Sequence, residues 1–131
     1  MITVGVIGLG YVGLPLAVAF AEAGCEVVAV DVDARKVEAI RAGESYIEDV
    51  PSETLAQLSE SIHATNRYAP LAKVDAVLIC VPTPLTPNRE PDLGPLLDAV
   101  RALAEVLQTE QLVVLESTSY PGTTRERVVP G

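Results

Sequence analysis

The sequence predicts an α/β fold: one doubly wound, mostly parallel sheet with helices on both faces. Three observations point there. The strand-like run Thr3-Val4-Gly5-Val6-Ile7 opens directly into Gly8-Leu9-Gly10-Tyr11-Val12-Gly13. Strand-like and helix-like segments then alternate along the chain, the pattern of repeated βαβ units. Finally, 49% of the 131 residues are hydrophobic, yet one is Phe and none is Trp, so the core is built from Val, Leu, Ala and Ile. Small branched side chains suit a sheet buried on both faces, and this length supports one core rather than two.

The elements follow in order. A glycine triplet alone is weak, but here a strand precedes it and a helix follows. The next strand, Glu26–Val30, ends on Asp31, eighteen residues beyond Gly13. That context is the Rossmann-like dinucleotide pattern. Gly8 permits a tight turn, Gly10 lets the backbone approach a pyrophosphate, and Gly13 removes a side chain where helix meets sheet. The unpaired N–H groups at the helix start, around Tyr11 and Val12, face the phosphates. Asp31 is placed to accept hydrogen bonds from an adenosine ribose, which favours NAD over its 2′-phosphorylated form.

The first helix spans about Val12 to Ala23, with Pro15 in its first turn and Gly24 as its stop. Asp33 caps a second helix, Ala34 to Arg41, which ends at Gly43. The stretch Glu44 to Pro51 is neither helical nor strand-like. A short helix from about Ser52 to Ser59 and a third strand, Ile62 to Thr65, come next. His63 lies in that strand without companion ligands, so a structural or exposed histidine is expected and no metal site. The fourth strand, Ala76 to Val81, is continuously apolar, and the prolines beside it exclude a helix. Five prolines between Pro82 and Pro95 then stiffen a loop at the carboxyl end of that strand, the edge where open α/β sheets bind ligands. Leu96, Val100, Leu103 and Leu107 give the following helix one buried face. A fifth strand, Leu112 to Leu115, leads to Glu116-Ser117-Thr118-Ser119-Tyr120, and Thr123 with Glu126 reads as a capping box. A helix started there and stopped by Pro130 is too short to stand without packing, so the chain reads as a single domain truncated at its C-terminus. It shows no internal repeat, low-complexity tract or linker.

Composition narrows the function. A net charge of −9 argues against nucleic acid, which needs clustered Lys and Arg. It leaves nucleotide ligands open, because backbone amides at a helix start hold phosphates. No cationic leader precedes the first apolar run and no apolar stretch reaches the ~20 residues that span a bilayer, so a cytoplasmic protein without membrane partners is expected. Cys25 and Cys80 have no close spacing, and both read as small buried hydrophobes rather than nucleophiles.

Four segments, Gly8-Leu9-Gly10-Tyr11-Val12-Gly13-Leu14-Pro15, Gly43-Glu44-Ser45-Tyr46-Ile47, Cys80-Val81-Pro82-Thr83-Pro84 and Glu116 to Thr124, stand in an order and spacing that resembles the UDP-glucose/GDP-mannose dehydrogenase family. The resemblance covers residues 1–131 as that family's N-terminal NAD-binding domain, and the tyrosine-isoleucine-glutamate-aspartate variant is similar to its UDP-N-acetylhexosamine branch. It implies oxidation of a nucleotide-sugar C6 alcohol to a carboxylate with two NAD+ in turn, through a thiohemiacetal and a thioester on a cysteine. That cysteine and the UDP-sugar-binding domain are expected beyond Gly131, so this chain should bind cofactor without turnover. The cofactor-binding set that results is Gly8, Gly10, Tyr11, Val12, Gly13, Asp31, Lys36, Val81, Pro82, Thr83, Ser117 and Thr118. Thr118 matches a residue that helps hold the catalytic water, a positioning role. The implied partners are a nucleotide-sugar substrate and further copies of the full-length chain. Two other readings stay open at this point: a dinucleotide-sensing regulatory domain, and another oxidoreductase of the same fold, such as a hydroxyacid or hydroxyacyl dehydrogenase.

Overall fold

The computed structural model describes residues 2–48, 50–81, 87–90, 92–108 and 110–116. Its strands are β1 (Thr3–Ile7), β2 (Glu26–Val30), β3 (Ile62–Thr65), β4 (Ala76–Ile79) and β5 (Leu112–Leu115), all parallel, in the order β3-β2-β1-β4-β5. The doubly wound α/β expectation is correct. The chain winds outward in both directions from β1, so the order reverses between β1 and β4, where ligands bind in such sheets.

The helices are α1 (Gly13–Glu22), α2 (Ala34–Arg41), α3 (Ser52–Gln57) and α4 (Gly94–Ala104). In α1, Leu14, Ala17, Val18 and Ala21 are buried, one stripe of helical spacing against the sheet. The helix ends as its glycine requires: Gly24 sits at φ +100, its N–H donates to Ala21 O and the Cys25 N–H donates to Phe20 O. Helix α2 closes alike at Gly43, φ +75. At its other end, Asp33 Oδ1 accepts the Arg35 N–H at 2.9 Å, and this bond holds the partly exposed Asp33 carboxyl below its ordinary range.

Two cores cover the two sheet faces. Val4 and Val6 of β1 face α1, α2 and the segment around Ile47 and Val50. Ile7 and Val30 face the other way, onto Leu71, Val74, Ala99 and Leu103. Gly5 leaves room there for the Leu71 side chain, which a Cβ at this position would displace.

Three expectations change. The β4 ladder stops at Ile79 rather than Val81, since its partner β1 ends at Ile7 and turns away; only the Cys80 N–H still donates to Ile7 O, at 2.7 Å. Helix α4 does not bury the face Leu96-Val100-Leu103-Leu107. It buries Ala99 and Leu103 and half-buries Leu96, while Val100 and Leu107 are 42% and 40% exposed. Val100 lies a further 100° round the helix from Ala99, and Leu107 follows the helix end. A 3-10 turn, Ala69–Lys73, stands where the sequence predicts no element. The capping box at Thr123 lies outside the described residues, as does most of the proline-rich loop.

Candidate functional site

The site is built on the turn from β1 into α1. Gly8 holds φ +94, and a Cβ there would lie 2.9 Å from the Cys80 carbonyl and the Val81 nitrogen. Its N–H donates to Val30 O at 2.8 Å, so the turn is pinned between the ends of β2 and β4. Gly13 is buried behind it. A Cβ on Gly13 would overlap the Gly8 carbonyl oxygen, which leaves glycine as the residue that lets α1 start this close to the sheet.

Gly10 is the opposite case: a Cβ there meets nothing within 4 Å. No side chain caps α1. The first helical bonds run from Leu14 N–H to Gly10 O and from Leu16 N–H to Val12 O, which leaves the N–H groups of Gly10, Tyr11, Val12 and Gly13 without an acceptor among the described residues. Unpaired donors at the positive end of a helix dipole, above open space, are an anion site.

Asp31 closes the loop from the β2 side. It is 9% exposed, its Oδ2 accepts the Leu9 N–H and its Oδ1 accepts the Asp33 N–H, each at 2.8 Å. Each oxygen keeps a lone pair for a ligand. The carboxylate therefore does more than the sequence suggests: it also ties the glycine loop to the tip of β2. From the far side Tyr46 O–H donates to Leu9 O at 2.6 Å, and the Lys36 ammonium stands 5.9 Å from the Tyr46 ring centroid.

These groups line an open cleft of about 1200 Å³ at the carboxyl ends of β1, β2 and β4. Its further wall is Tyr68, Val81 and the start of α4 at Pro95, Asp98, Ala99 and Ala102. Burial first, then Asp31 and Asp98, pushes the Tyr68 phenol up, so it stays a neutral donor. Burial, then Glu116, pushes the Cys80 thiol up to about 12. A neutral thiol is a poor nucleophile, which agrees with reading Cys80 as a small core residue. Asp31, Asp33 and Asp98 make the rim acidic, with Lys36 the cation among the described lining residues. Phosphates here would be held by backbone amides, as the glycine loop provides.

Of the residues singled out from sequence, Gly8, Gly10, Tyr11, Val12, Asp31, Lys36 and Val81 line this one cleft, and Gly13 supports it from behind. Pro82, Thr83, Ser117 and Thr118 lie outside the described residues. His63 is exposed and pairs with Glu26 Oε1 at 2.8 Å, away from the cleft. Among the described residues no three of His, Cys, Asp and Glu gather as a metal site, and no helix is long and apolar enough to cross a membrane. Tyr68, Asp98, Ala99 and Ala102 also line the cleft and carry no motif in the sequence that marks them, whereas Pro95 belongs to the proline-rich loop expected at this edge. A dinucleotide fits what is present on two counts: the open space at Gly10 and the unpaired amides around it.

A family model for the UDP-glucose/GDP-mannose dehydrogenase family, NAD binding domain, matches residues 2–130. The chain is 41% identical over 127 residues to NDP-N-acetyl-D-galactosaminuronic acid dehydrogenase from Ralstonia nicotianae, covering 95% of this chain and 29% of that protein. It is 39% identical over 127 residues to UDP-N-acetyl-D-glucosamine 6-dehydrogenase from Pseudomonas aeruginosa, covering 97% and 30% respectively. The solved structure of UDP-D-ManNAc dehydrogenase from Pyrococcus horikoshii superposes with a TM-score of 0.84 at 37% identity, over 95% of this chain and 30% of that one. The chain thus spans about 30% of the length of these relatives.

Proposed function

The chain belongs to the UDP-glucose/GDP-mannose dehydrogenase family as its NAD-binding domain, and from that premise we propose that residues 1–131 hold NAD for a longer enzyme that oxidises a UDP-N-acetylhexosamine at C6. The observation that carries the proposal is the start of α1, where unpaired amides face open space at Gly10 and Asp31 stands beside them. The names of the three relatives, all dehydrogenases of N-acetylated sugars or their uronic acids, support the N-acetylhexosamine branch.

In this reading the Gly10 to Gly13 amides hold the pyrophosphate. Asp31 accepts from the adenosine ribose, and Lys36 lies near that ribose. Tyr11 and Val81, which line the cleft, contact the cofactor, and Pro82 and Thr83 are proposed as further contacts. Ser117 and Thr118 are proposed as further cofactor contacts, with Thr118 also positioning the catalytic water. Bound NAD supplies the hydride acceptor for conversion of the alcohol to a carboxylate. Cys80 is neutral and packed against the sheet, which supports a nucleophile on polypeptide that this chain does not contain. The full-length enzyme is proposed to be a cytoplasmic homo-oligomer whose partner is a nucleotide sugar.

The test is stoichiometric. Mixed with NAD+ and a UDP-N-acetylhexosamine, the 131-residue chain should bind cofactor and form no NADH. The same domain within an enzyme of the relatives' length should yield two NADH per sugar. Steady turnover by the chain alone, lost on Cys80→Ala, would overturn this division of labour. NAD binding with no turnover at any length would favour a sensing domain, and turnover of a hydroxyacid would favour another oxidoreductase.

A further inference from the structure

The peptide between the first two motif glycines is held from both sides by side chains. Leu9 N–H donates to Asp31 Oδ2 at 2.8 Å, and Leu9 O accepts the Tyr46 O–H at 2.6 Å. The Leu9 carbonyl shares a planar trans peptide with the Gly10 N–H, and in such a unit C=O and N–H point in opposite directions. A donor that fixes the Leu9 carbonyl toward Tyr46 therefore fixes the Gly10 N–H away from it. That N–H has no acceptor among the described residues, and the space above Gly10 is open. We propose that Tyr46 is a positioning residue for the diphosphate part of the ligand: its hydroxyl sets the direction of the Gly10 amide before the ligand arrives.

Tyr46 is itself held in place. Ser45 N–H donates to Ser52 Oγ at 2.9 Å, and the Ser45 hydroxyl donates to Ile47 O at 2.9 Å. Ile47 and Val50 on either side of the turn are buried, and Gly43 abuts Ala56 where a Cβ would be 3.2 Å from the alanine methyl. The ring is half-buried beneath Lys36. Burial, then Asp31 and Asp33, pushes its phenol up, so the hydroxyl remains protonated and a donor. The irregular stretch between α2 and α3 thus has a job: it delivers one hydroxyl to the glycine loop. Preorganisation of this kind shows in affinity because the ligand no longer orders the loop on binding.

The inference rests on the NAD-binding reading, and the experiment separates the two. Wild-type full chain and Tyr46→Phe are titrated with NAD, ADP and adenosine, with the Gly10 amide followed by NMR. Loss of this one hydrogen bond should weaken NAD and ADP roughly five- to tenfold, shift the Gly10 resonance and leave adenosine unchanged. A wild type that binds neither NAD nor ADP would overturn the cofactor reading and this proposal with it. Wild-type binding of both, with an unchanged ratio of ADP to adenosine affinity in Tyr46→Phe, would overturn the role of Tyr46 alone. Should Tyr46→Phe fail to fold, 3-fluorotyrosine at position 46 is a stronger donor of nearly the same shape. It should then raise ADP affinity relative to adenosine, and no change in that ratio overturns the proposal.

Discussion

Gly10 and Gly13 belong to one motif, yet their substitution should produce opposite defects. A Cβ on Gly13 would overlap the Gly8 carbonyl oxygen, lie 2.8 Å from the Gly8 carbon and lie 3.3 Å from Cys80 Cβ. None of these neighbours yields cheaply. Gly8 is tied to Val30 O by its N–H at 2.8 Å, and Cys80 to Ile7 O at 2.7 Å. Relief means moving the first turn of α1 off the sheet, away from the contacts of Leu14 and Ala17, both fully buried. Overpacking against backbone costs about 3 kcal/mol or more, which lowers Tm by about 10 °C in a domain this size. At Gly10 a side chain meets no protein atom within 4 Å and φ is not positive, so Gly10→Val should keep stability within about 1 kcal/mol. Its methyl groups would occupy the space beside the free amides and reduce NAD affinity at least ~100-fold, a loss of about 2.7 kcal/mol. Urea unfolding and NAD titration of both variants are the assay. A Gly13→Ala protein as stable as wild type, or a Gly10→Val protein that still binds NAD at wild-type affinity, would refute the reasoning.

Three further outcomes are expected. NAD should bind at least ~10-fold more tightly than NADP, because the Asp31 carboxylate repels a 2′-phosphate; equal affinities in parallel titrations contradict this. Asp31→Ala should not simply relax that preference, since it strands the Leu9 and Asp33 N–H groups. A loss of about 2–3 kcal/mol in urea unfolding is expected, and a fully stable Asp31→Ala that gains NADP would show the carboxylate has no structural part. Cys80 should resist alkylation in the native chain at pH 8 while half-buried Cys25 reacts, as read by mass spectrometry. Because folding raises the Cys80 thiol from an ordinary 9.0 to about 12, the unfolded chain loses that proton first. Cys80 therefore contributes nothing to the pH dependence below about pH 9. Stability should fall as pH rises above it, by about 1 kcal/mol at pH 10, and Cys80→Ala should flatten that slope.

The legible parts of this molecule are those whose cause is local. Gly24 and Gly43 stop helices through their own backbone conformation, Asp33 caps through a bond two residues away, and the glycine loop is bracketed by its own strand and helix. Asp31 could be found at the tip of the second strand for the same reason. Its bond to Leu9 could not, because the loop and the strand tip meet only when β1 and β2 pair in register. Tyr46 is further removed: it stands in a stretch without periodicity and reaches Leu9, 37 residues earlier, only after α2 and α3 have packed. Leu96, Val100 and Leu103 satisfy helical spacing as well as Leu96, Ala99 and Leu103 do, so spacing alone does not choose the buried face of α4. In the fold it is Ala99 and Leu103 that join Ile79 and Val77 in one buried cluster, a contact between elements distant in sequence that helical spacing does not encode. The 3-10 turn at Ala69–Lys73 is too short to carry any periodic signal.

In the function proposed above, the amides opening α1 receive the diphosphate of NAD. Amide chemical shifts of the full chain during titration with NAD test it most directly. The largest changes should fall on Gly10, Tyr11, Val12 and Gly13, followed by Leu9 and the backbone around Asp31. A titration that leaves these amides unmoved, or moves the β3 edge and α3 instead, would contradict it.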